Sequence, residues 1–337
     1  MVSRRFVAKR LLLLGPVLFG VATLVFAVLH LSPGDPAVTI AGERASQEFV
    51  REVRTDLGLD DPLWQQYLRF LGDVLVLDFG ESYQIQRGAP VSDILFDRLP
   101  ITVELAVLGQ IAGLIFGLPL GVLSAVRQDT LTDHLTRVGA LAGISIPIYW
   151  SGPLLILLFA QIFGLLPTSG RIGSSFFVDS TTGFILVDTL LAGNLAAFQS
   201  AVVHLLMPVV VLGVYSMAFL SRMMRSSMLE VVRQDYMRTA RAKGQGEKIT
   251  VLKHGLRNAF IPVITIAGIQ FGSLLGGSVL TETVFEINGI GTLLVAAISR
   301  SDYPVVQGTV LVFAFMYTLV NLGVDLTYSV LDPRIEQ

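Results

Sequence analysis

Six long stretches of this chain contain no Asp, Glu, Lys or Arg: 11–34, 105–126, 138–170, 189–221, 258–281 and 303–324. About 20 apolar residues suffice for a helix to cross the hydrocarbon of a bilayer. Trimmed to their apolar cores, the stretches predict membrane helices over 11–30, 101–126, 138–165, 201–221, 258–281 and 305–327. Basic residues between them are unevenly placed. Segments 1–10, 127–137, 222–257 and 328–337 hold 16 Lys and Arg in 67 positions, against 8 in 128 for 31–100, 166–200 and 282–304. Basic loops stay on the cytosolic side, so both termini are expected there. The first apolar run is longer than a secretory signal core, and Pro33-Gly34-Asp35-Pro36 stands where a small-residue cleavage site would be. It is therefore expected to be a retained helix.

The pattern divides the chain into a tail and first span (1–30), a polar cap (31–100) and a five-helix core (101–337) with a large basic loop (222–257). The cap carries 12 acidic and 6 basic residues. Apolar stripes at Val50, Val53 and Leu57, and at Trp64, Tyr67, Leu68 and Leu71, predict helices over 46–57 and 62–77. Asp60-Asp61-Pro62 reads as the start of the second. The segment 166–200 is rich in Gly, Ser and Thr around apolar pieces, as in a loop or hairpin resting on a surface. Gly113, Gly117 and Gly121 recur every fourth residue, leaving one helix face smooth for close packing. Pro119, Pro147, Pro153, Pro208 and Pro262 lie in or beside the spans, where they bend helices.

Composition agrees with a membrane protein: 53% hydrophobic, 15% charged, mean hydropathy +0.68. There is no cysteine, which excludes disulfides, thiolate chemistry and Cys-ligated metals, and the four histidines lack metal-ligand spacing. Only Glu104 and Asp325 fall within the predicted spans, both near an end, so no charged relay of the kind used by ion pumps is visible. No G-x-x-x-x-G-K-[ST] loop is present. A transporter of this kind would take its energy from a partner. Neither a catalytic group, a metal, a cofactor nor a nucleic-acid partner is expected.

The handle for such a partner is the loop. A basic segment with an apolar stripe (Met228, Val232, Tyr236, with Leu229 and Met237 at its edge) is interrupted by Gly244 and Gly246. A second basic segment, Lys248 to Arg257, then runs into the next span. A solvated positive-inside loop would explain the charge but not the stripe.

Eight stretches in order carry a resemblance. They are Leu31-Ser32-Pro33-Gly34-Asp35-Pro36, Leu57-Gly58-Leu59-Asp60-Asp61-Pro62-Leu63, Arg98-Leu99-Pro100, and Gln234 through Gly244 (QDYMRTARAKG). Leu256-Arg257-Asn258 with Ile261-Pro262, Thr281-Glu282-Thr283-Val284-Phe285, Asp302 through Gly308 (DYPVVQG) and Leu331-Asp332-Pro333-Arg334 complete them. On these the chain resembles the B-type permease subunits of oligopeptide, dipeptide and nickel ABC importers. The resemblance implies an all-α polytopic protein with six transmembrane helices, the type I ABC importer permease architecture and an extracytosolic cap.

It also implies that Asp235, Tyr236, Met237, Arg238, Thr239, Ala240, Arg241, Ala242, Lys243 and Gly244 form the EAA-type coupling helix, docked on an ATP-binding subunit. The E-A-A triplet falls on Arg238-Thr239-Ala240 and I-x-L-P on His254-Gly255-Leu256-Arg257, keeping only Ala240 and Leu256, a departure shared by peptide-type permeases. Expected partners are a second, C-type permease, two ATP-binding cassette subunits, an extracytosolic substrate-binding protein and the lipid of the cell membrane. Polar or aromatic residues in apolar helices (Ser145, Tyr149, Tyr215, Gln270, Ser273 and Asn321) are candidates for the translocation path. Peptides are the expected cargo, with nickel chelates, glutathione and oligosaccharides as alternatives. An ion-coupled secondary transporter would need a relay or a doubled repeat, and an intramembrane enzyme a catalytic pair.

Overall fold

The computed structural model describes residues 4–31, 35–41 and 45–331. The motif residues Ser32, Pro33, Gly34, Asp332, Pro333 and Arg334 lie outside them. Regular structure there is helical apart from an isolated bridge between Glu81 and Pro90.

Helix α1 (Arg4–Leu31) is followed by short helices α2 (Pro36–Ala41), α3 (Gln47–Asp56) and α4 (Leu63–Leu75). The expected cap helices are thus present, and Ser46 caps α3 by accepting from the Phe49 amide at 3.2 Å. Gly58, at φ +62, ends α3 in a left-handed turn: the Gly58 amide donates to Thr55 O and the Leu59 amide to Arg54 O. That is the Schellman arrangement, which explains a Leu-Gly-Leu sequence at this point. Tyr67 and Phe70 of α4 rest on Phe26 of α1, with ring centroids 5.1 and 5.6 Å apart. Neither α3 nor α4 has a fully buried residue, and Trp64 and Leu68 are exposed.

Among the described residues five helices are long and apolar enough to cross a membrane: Arg10–Leu31, Val91–Val126, Leu195–Val232, Glu247–Val284 and Tyr303–Thr327. The span expected at 138–165 is a broken one. Helix α6 (Leu131–Ser145) and helix α7 (Ile148–Leu155), the latter extended by a π-helical stretch to Ile162, meet at 101°. Pro147 is the cause, because a proline disfavours the helical region for the residue before it. Ile146 is accordingly extended, at φ −79°, ψ 119°.

The boundary expected at residue 100 falls inside a helix. Helix α5 (Val91–Val126) starts ten residues earlier, so 91–100 belong to the bundle rather than the cap. Val91, Ile94 and Leu95 are buried against Ile290, Leu293 and Ala297 of α13 (Ile290–Ser299) and Val305. Asp93, Asp97 and Arg98 masked this buried face in the sequence, and α13 is too short to be read as a span.

The centre of the bundle is the parallel pair α5 and α9 (Leu195–Val232). A Cβ added at Gly109, Gly117 or Gly121 would lie 2.7 Å from Leu212 Cβ, 2.9 Å from Met217 O and 2.5 Å from Ser221 O. Only glycine permits that approach, so the four-residue repeat is a backbone-to-backbone seam, and it begins one step earlier, at Gly109. Helix α12 (Leu256–Val284) covers this pair and packs on α14 (Tyr303–Leu331), where Gly272 accommodates the Tyr317 ring. Helix α1 is pinned to α14 by Arg10 and Asp325, 3.0 Å apart.

Candidate functional site

Between α9 and α12 the chain turns sharply. Helix α9 stops at Val232, and helix α10 (Asp235–Ala242) restarts after Gln234. The apolar stripe expected along one helix is therefore split. Gly244, at φ +78, closes α10: its amide donates to Arg241 O and the Gln245 amide to Ala240 O. This second Schellman turn is where the glycine is required. Helix α11 (Glu247–Ile249) then leads through a π-helical stretch, Thr250–Gly255, into α12.

The ten residues expected to couple divide by face. Met237 is fully buried and Ala240 nearly so; the Met237 and Met228 methyl groups both crowd Gly255. Met237 thus holds α10 on the bundle, and of the ten expected coupling residues it is the one wholly turned inward, because the chain breaks after Val232. Asp235, Tyr236, Arg238, Thr239, Ala242, Lys243 and Gly244 are exposed. Arg241 grips Glu247 with two hydrogen bonds of 3.0 and 2.8 Å, raising the guanidinium pKa above its ordinary value. Tyr236 Oη accepts from Asn258 Nδ2 at 2.9 Å, and His254 Nε2 lies 2.9 Å from Gln245 Oε1. Tyr236, Ile249 and Leu252 leave apolar surface exposed (41, 54 and 59%) among Arg233, Arg238, Lys243 and Lys248.

The six path candidates are not brought together. Ser145, Tyr149 and Ser273 lie on the outside of the bundle, the first two flanking the break between α6 and α7. Tyr215 is half-buried, edge-on to Phe219 at 5.1 Å, and Asn321 is half-buried on α14. Gln270 is buried, and its Nε2 has no hydrogen-bond partner among the described residues. None of the six lines either of two sizeable cavities: one of about 430 Å³ between α1, the cap and the start of α14, and one of about 630 Å³ between α6 and α9.

Residues 117–337 match the family described as binding-protein-dependent transport system inner membrane component, and residues 3–106 match the N-terminal membrane component of such systems. The chain belongs to this family. It is similar to the dipeptide transport system permease protein DppB of Escherichia coli (strain K12), 46% identical over 336 residues and 98% of each chain. It is also similar to DppB of Alkalihalophilus pseudofirmus, 42% identical over 98% of this chain and 99% of that one. The glutathione transport system permease protein GsiC of Escherichia coli O1:K1 / APEC is 41% identical over 98% of each. In a solved structure, the inward-facing MetNI methionine ABC transporter shares the fold at a TM-score of 0.50 and 18% identity, over 69% of this chain and 93% of that one. This protein is a permease subunit of an ABC importer, a multi-pass inner-membrane component. Its family works with another permease, an ATPase and a substrate-binding protein, and ATP is hydrolysed in separate subunits.

The permease also contains ionisable residues that the sequence reading treated as loop charges or span ends. Glu282, Asp302 and Asp133 are fully buried, and Glu104 and Asp188 nearly so. Each is an acceptor for backbone or hydroxyl donors that would otherwise be orphaned. Glu104 caps the start of α8 (Ile185–Leu191), accepting from the Ile185 and Leu186 amides at 3.1 and 3.0 Å. Asp188 accepts from the Thr182 hydroxyl and the Thr182 and Gly183 amides. Burial pushes its pKa up, and these donors together more than offset that, leaving it below the ordinary carboxylate value.

Proposed function

We propose that this permease forms half of an ATP-driven path for short peptides, with residues 235–252 as its contact to an ATP-binding cassette subunit. One observation carries the coupling role: Tyr236, Ile249 and Leu252 present apolar surface inside a basic rim, on a segment whose other face is anchored by Met237 and Val251. Such a segment is stiff enough to transmit displacement and has something for a partner to cover. Relatives named for dipeptide and glutathione transport, similar over nearly the whole chain, favour peptides as cargo.

The orientation follows from the basic residues, with both termini and residues 222–257 in the cytosol. The cap, now residues 31–90, and segment 166–200 then face outward as the landing surface for a substrate-binding protein. The exposed Leu63, Trp64, Leu68 and Phe177 give that partner apolar contacts within an acidic surface. The second permease is of the C type and faces Ser145, Tyr149 and Ser273, and two ATP-binding subunits sit below. Alternating access in such a pair needs two packings of the helices, and the broken α6–α7 span supplies a bend at which they can differ.

The test is reconstitution in liposomes. With a second permease, two ATP-binding subunits and a binding protein, dipeptide should stimulate ATP hydrolysis and uptake, and Tyr236→Asp should lower both at unchanged membrane levels. Uptake by this chain alone, without ATP and driven by a proton or sodium gradient, would replace this reading with a secondary transporter.

A further inference from the structure

The cavity of about 630 Å³ between α6 and α9 is not explained by coupling or by the path candidates. Its walls include His134 and Arg137 of α6 and Ser221, Arg222, Arg225 and Ser226 of α9. Arg225 is neutralised in place, its Nε and Nη2 donating to the two oxygens of buried Asp133 at 2.7 and 2.8 Å. That ion pair fixes the spacing of the two helices and leaves the other two guanidiniums without a carboxylate. Arg222 stacks over the Phe219 ring at 5.3 Å, and neither it nor Arg137 forms a salt bridge among the described residues. Both line the cavity and are exposed. Two uncompensated guanidiniums in one concavity suit an anion, above all a planar-forked fit to phosphate oxygens.

Depth and surroundings select the kind of anion. Arg137 stands six residues into α6, about 9 Å along its axis, at the end of the basic segment 127–137 that the charge bias assigns to the cytosolic face, where anionic headgroups lie. Beside the cavity, α6 presents Leu131, Leu135, Val138 and Leu141, exposed by 73, 63, 65 and 61% and aligned along one face. A soluble anion makes no use of that stripe, whereas acyl chains lie along it. We propose that this cavity binds the phosphodiester of an anionic phospholipid at the basic end of the bundle, with Arg137 and Arg222 as phosphate donors and the α6 stripe against the acyl chains. The inference rests on the membrane placement above but not on transport.

The full chain in detergent, titrated with dioleoylphosphatidylglycerol or dioleoylphosphatidylcholine and read by native mass spectrometry, tests it. The anionic lipid should bind at least fivefold more tightly. Arg137→Gln with Arg222→Gln should remove that preference, and Arg137→Lys with Arg222→Lys should keep most of it. Arg87→Gln with Arg300→Gln, an equal loss of charge on exposed residues at the other end, should leave it intact. Thermal unfolding midpoints identify any misfolded variant, and the lysine pair then decides. Equal binding of the two lipids, or a preference that survives the glutamine pair, overturns the proposal. Full displacement of the lipid by millimolar inorganic phosphate also overturns it, in favour of a soluble-anion site. None of these readings depends on ATP or peptide, so failure here leaves the importer reading standing.

Discussion

Thr102 and Glu282 meet across 180 residues of sequence: the threonine hydroxyl donates to Glu282 Oε1 at 2.6 Å, wholly inside the bundle. Thr102 Oγ1 in turn accepts from the Ile290 amide at 2.9 Å, and Glu282 Oε2 accepts from the Thr292 amide at 3.1 Å. The pair thereby ties α5, the end of α12 and the start of α13 into one joint. Gly289 and Gly291 pass close beside the carboxylate, where a Cβ would lie 2.5 and 2.8 Å from Glu282 Oε2.

Removing the acceptor should loosen this joint. Glu282→Ala leaves the buried Thr102 hydroxyl and the half-buried Thr292 amide without their acceptor, at about 1–3 kcal/mol for the buried group and less for the other. The thermal midpoint of the detergent-solubilised chain should fall clearly, and by less for Glu282→Gln, which keeps one acceptor oxygen. An alanine variant as stable as the parent would mean that the network contributes nothing.

Met237 and Tyr236 are neighbours with opposite roles. Met237→Asp places an unpaired charge under α10, costing several kcal/mol, so the isolated chain itself should be destabilised. Tyr236→Asp removes an exposed ring and its hydrogen bond from Asn258, so it should lower the unfolding free energy by no more than about 1.5 kcal/mol, while weakening co-purification with an ATP-binding subunit. Identical stability of the two variants would contradict the placement of these side chains.

How far the sequence goes is clear from particular elements. Runs without charge mark the five long apolar helices and the bent α6–α7 pair, because the bilayer excludes charge over a fixed length. They do not reveal that 138–165 is broken, since Pro147 can equally kink a span as divide it. The cap helices 47–56 and 63–75 match their stripes within two residues. Met237 was misplaced because periodicity was carried through Arg233 and Gln234, where the chain leaves the helix. Glu282 and Asp302 stand in two of the motif stretches, but their burial is not legible there, because a carboxylate that satisfies three or four donors looks in sequence like any solvated one. Helix α13 was hidden because ten residues suffice to plug a bundle end but not to cross a membrane.

The glycine seam gives a graded test. Gly121→Val forces a branched side chain into Ser221 O and Met224, and overpacking of this kind costs about 1–3 kcal/mol. Gly276→Val should be tolerated by the chain alone, since a Cβ there meets nothing within 4 Å. If the open face of α12 packs on a second permease, Gly276→Val should instead reduce recovery of the permease pair by pull-down. Equal unfolding midpoints for the two valine variants would show that α5 and α9 are not in backbone contact.

The last prediction concerns the clasp between the cap and the bundle. Asp302 is fully buried, just before α14. It accepts from Ser82 Oγ at 2.6 Å and from the Tyr83, Gln84 and Ile85 amides at 3.1, 2.9 and 2.9 Å. Burial pushes its pKa up, but the Ser82 hydroxyl and the three amides together outweigh burial, so the net shift is downward. A carboxyl depressed in the folded state stabilises it above the unfolded value, about 3.9, and that stabilisation is lost as pH falls through the still lower folded value. The clasp should therefore hold from neutral pH to about 4, and release only in stronger acid. Asp302→Asn keeps the shape but turns an amide NH2 toward donors, so the loop should open even at pH 7. Hydrogen exchange of segment 82–90, corrected for intrinsic rates, reads both effects. Parent-like protection in Asp302→Asn at pH 7, or loss of protection in the parent between pH 7 and 5, would show that Asp302 does not hold the cap in this way.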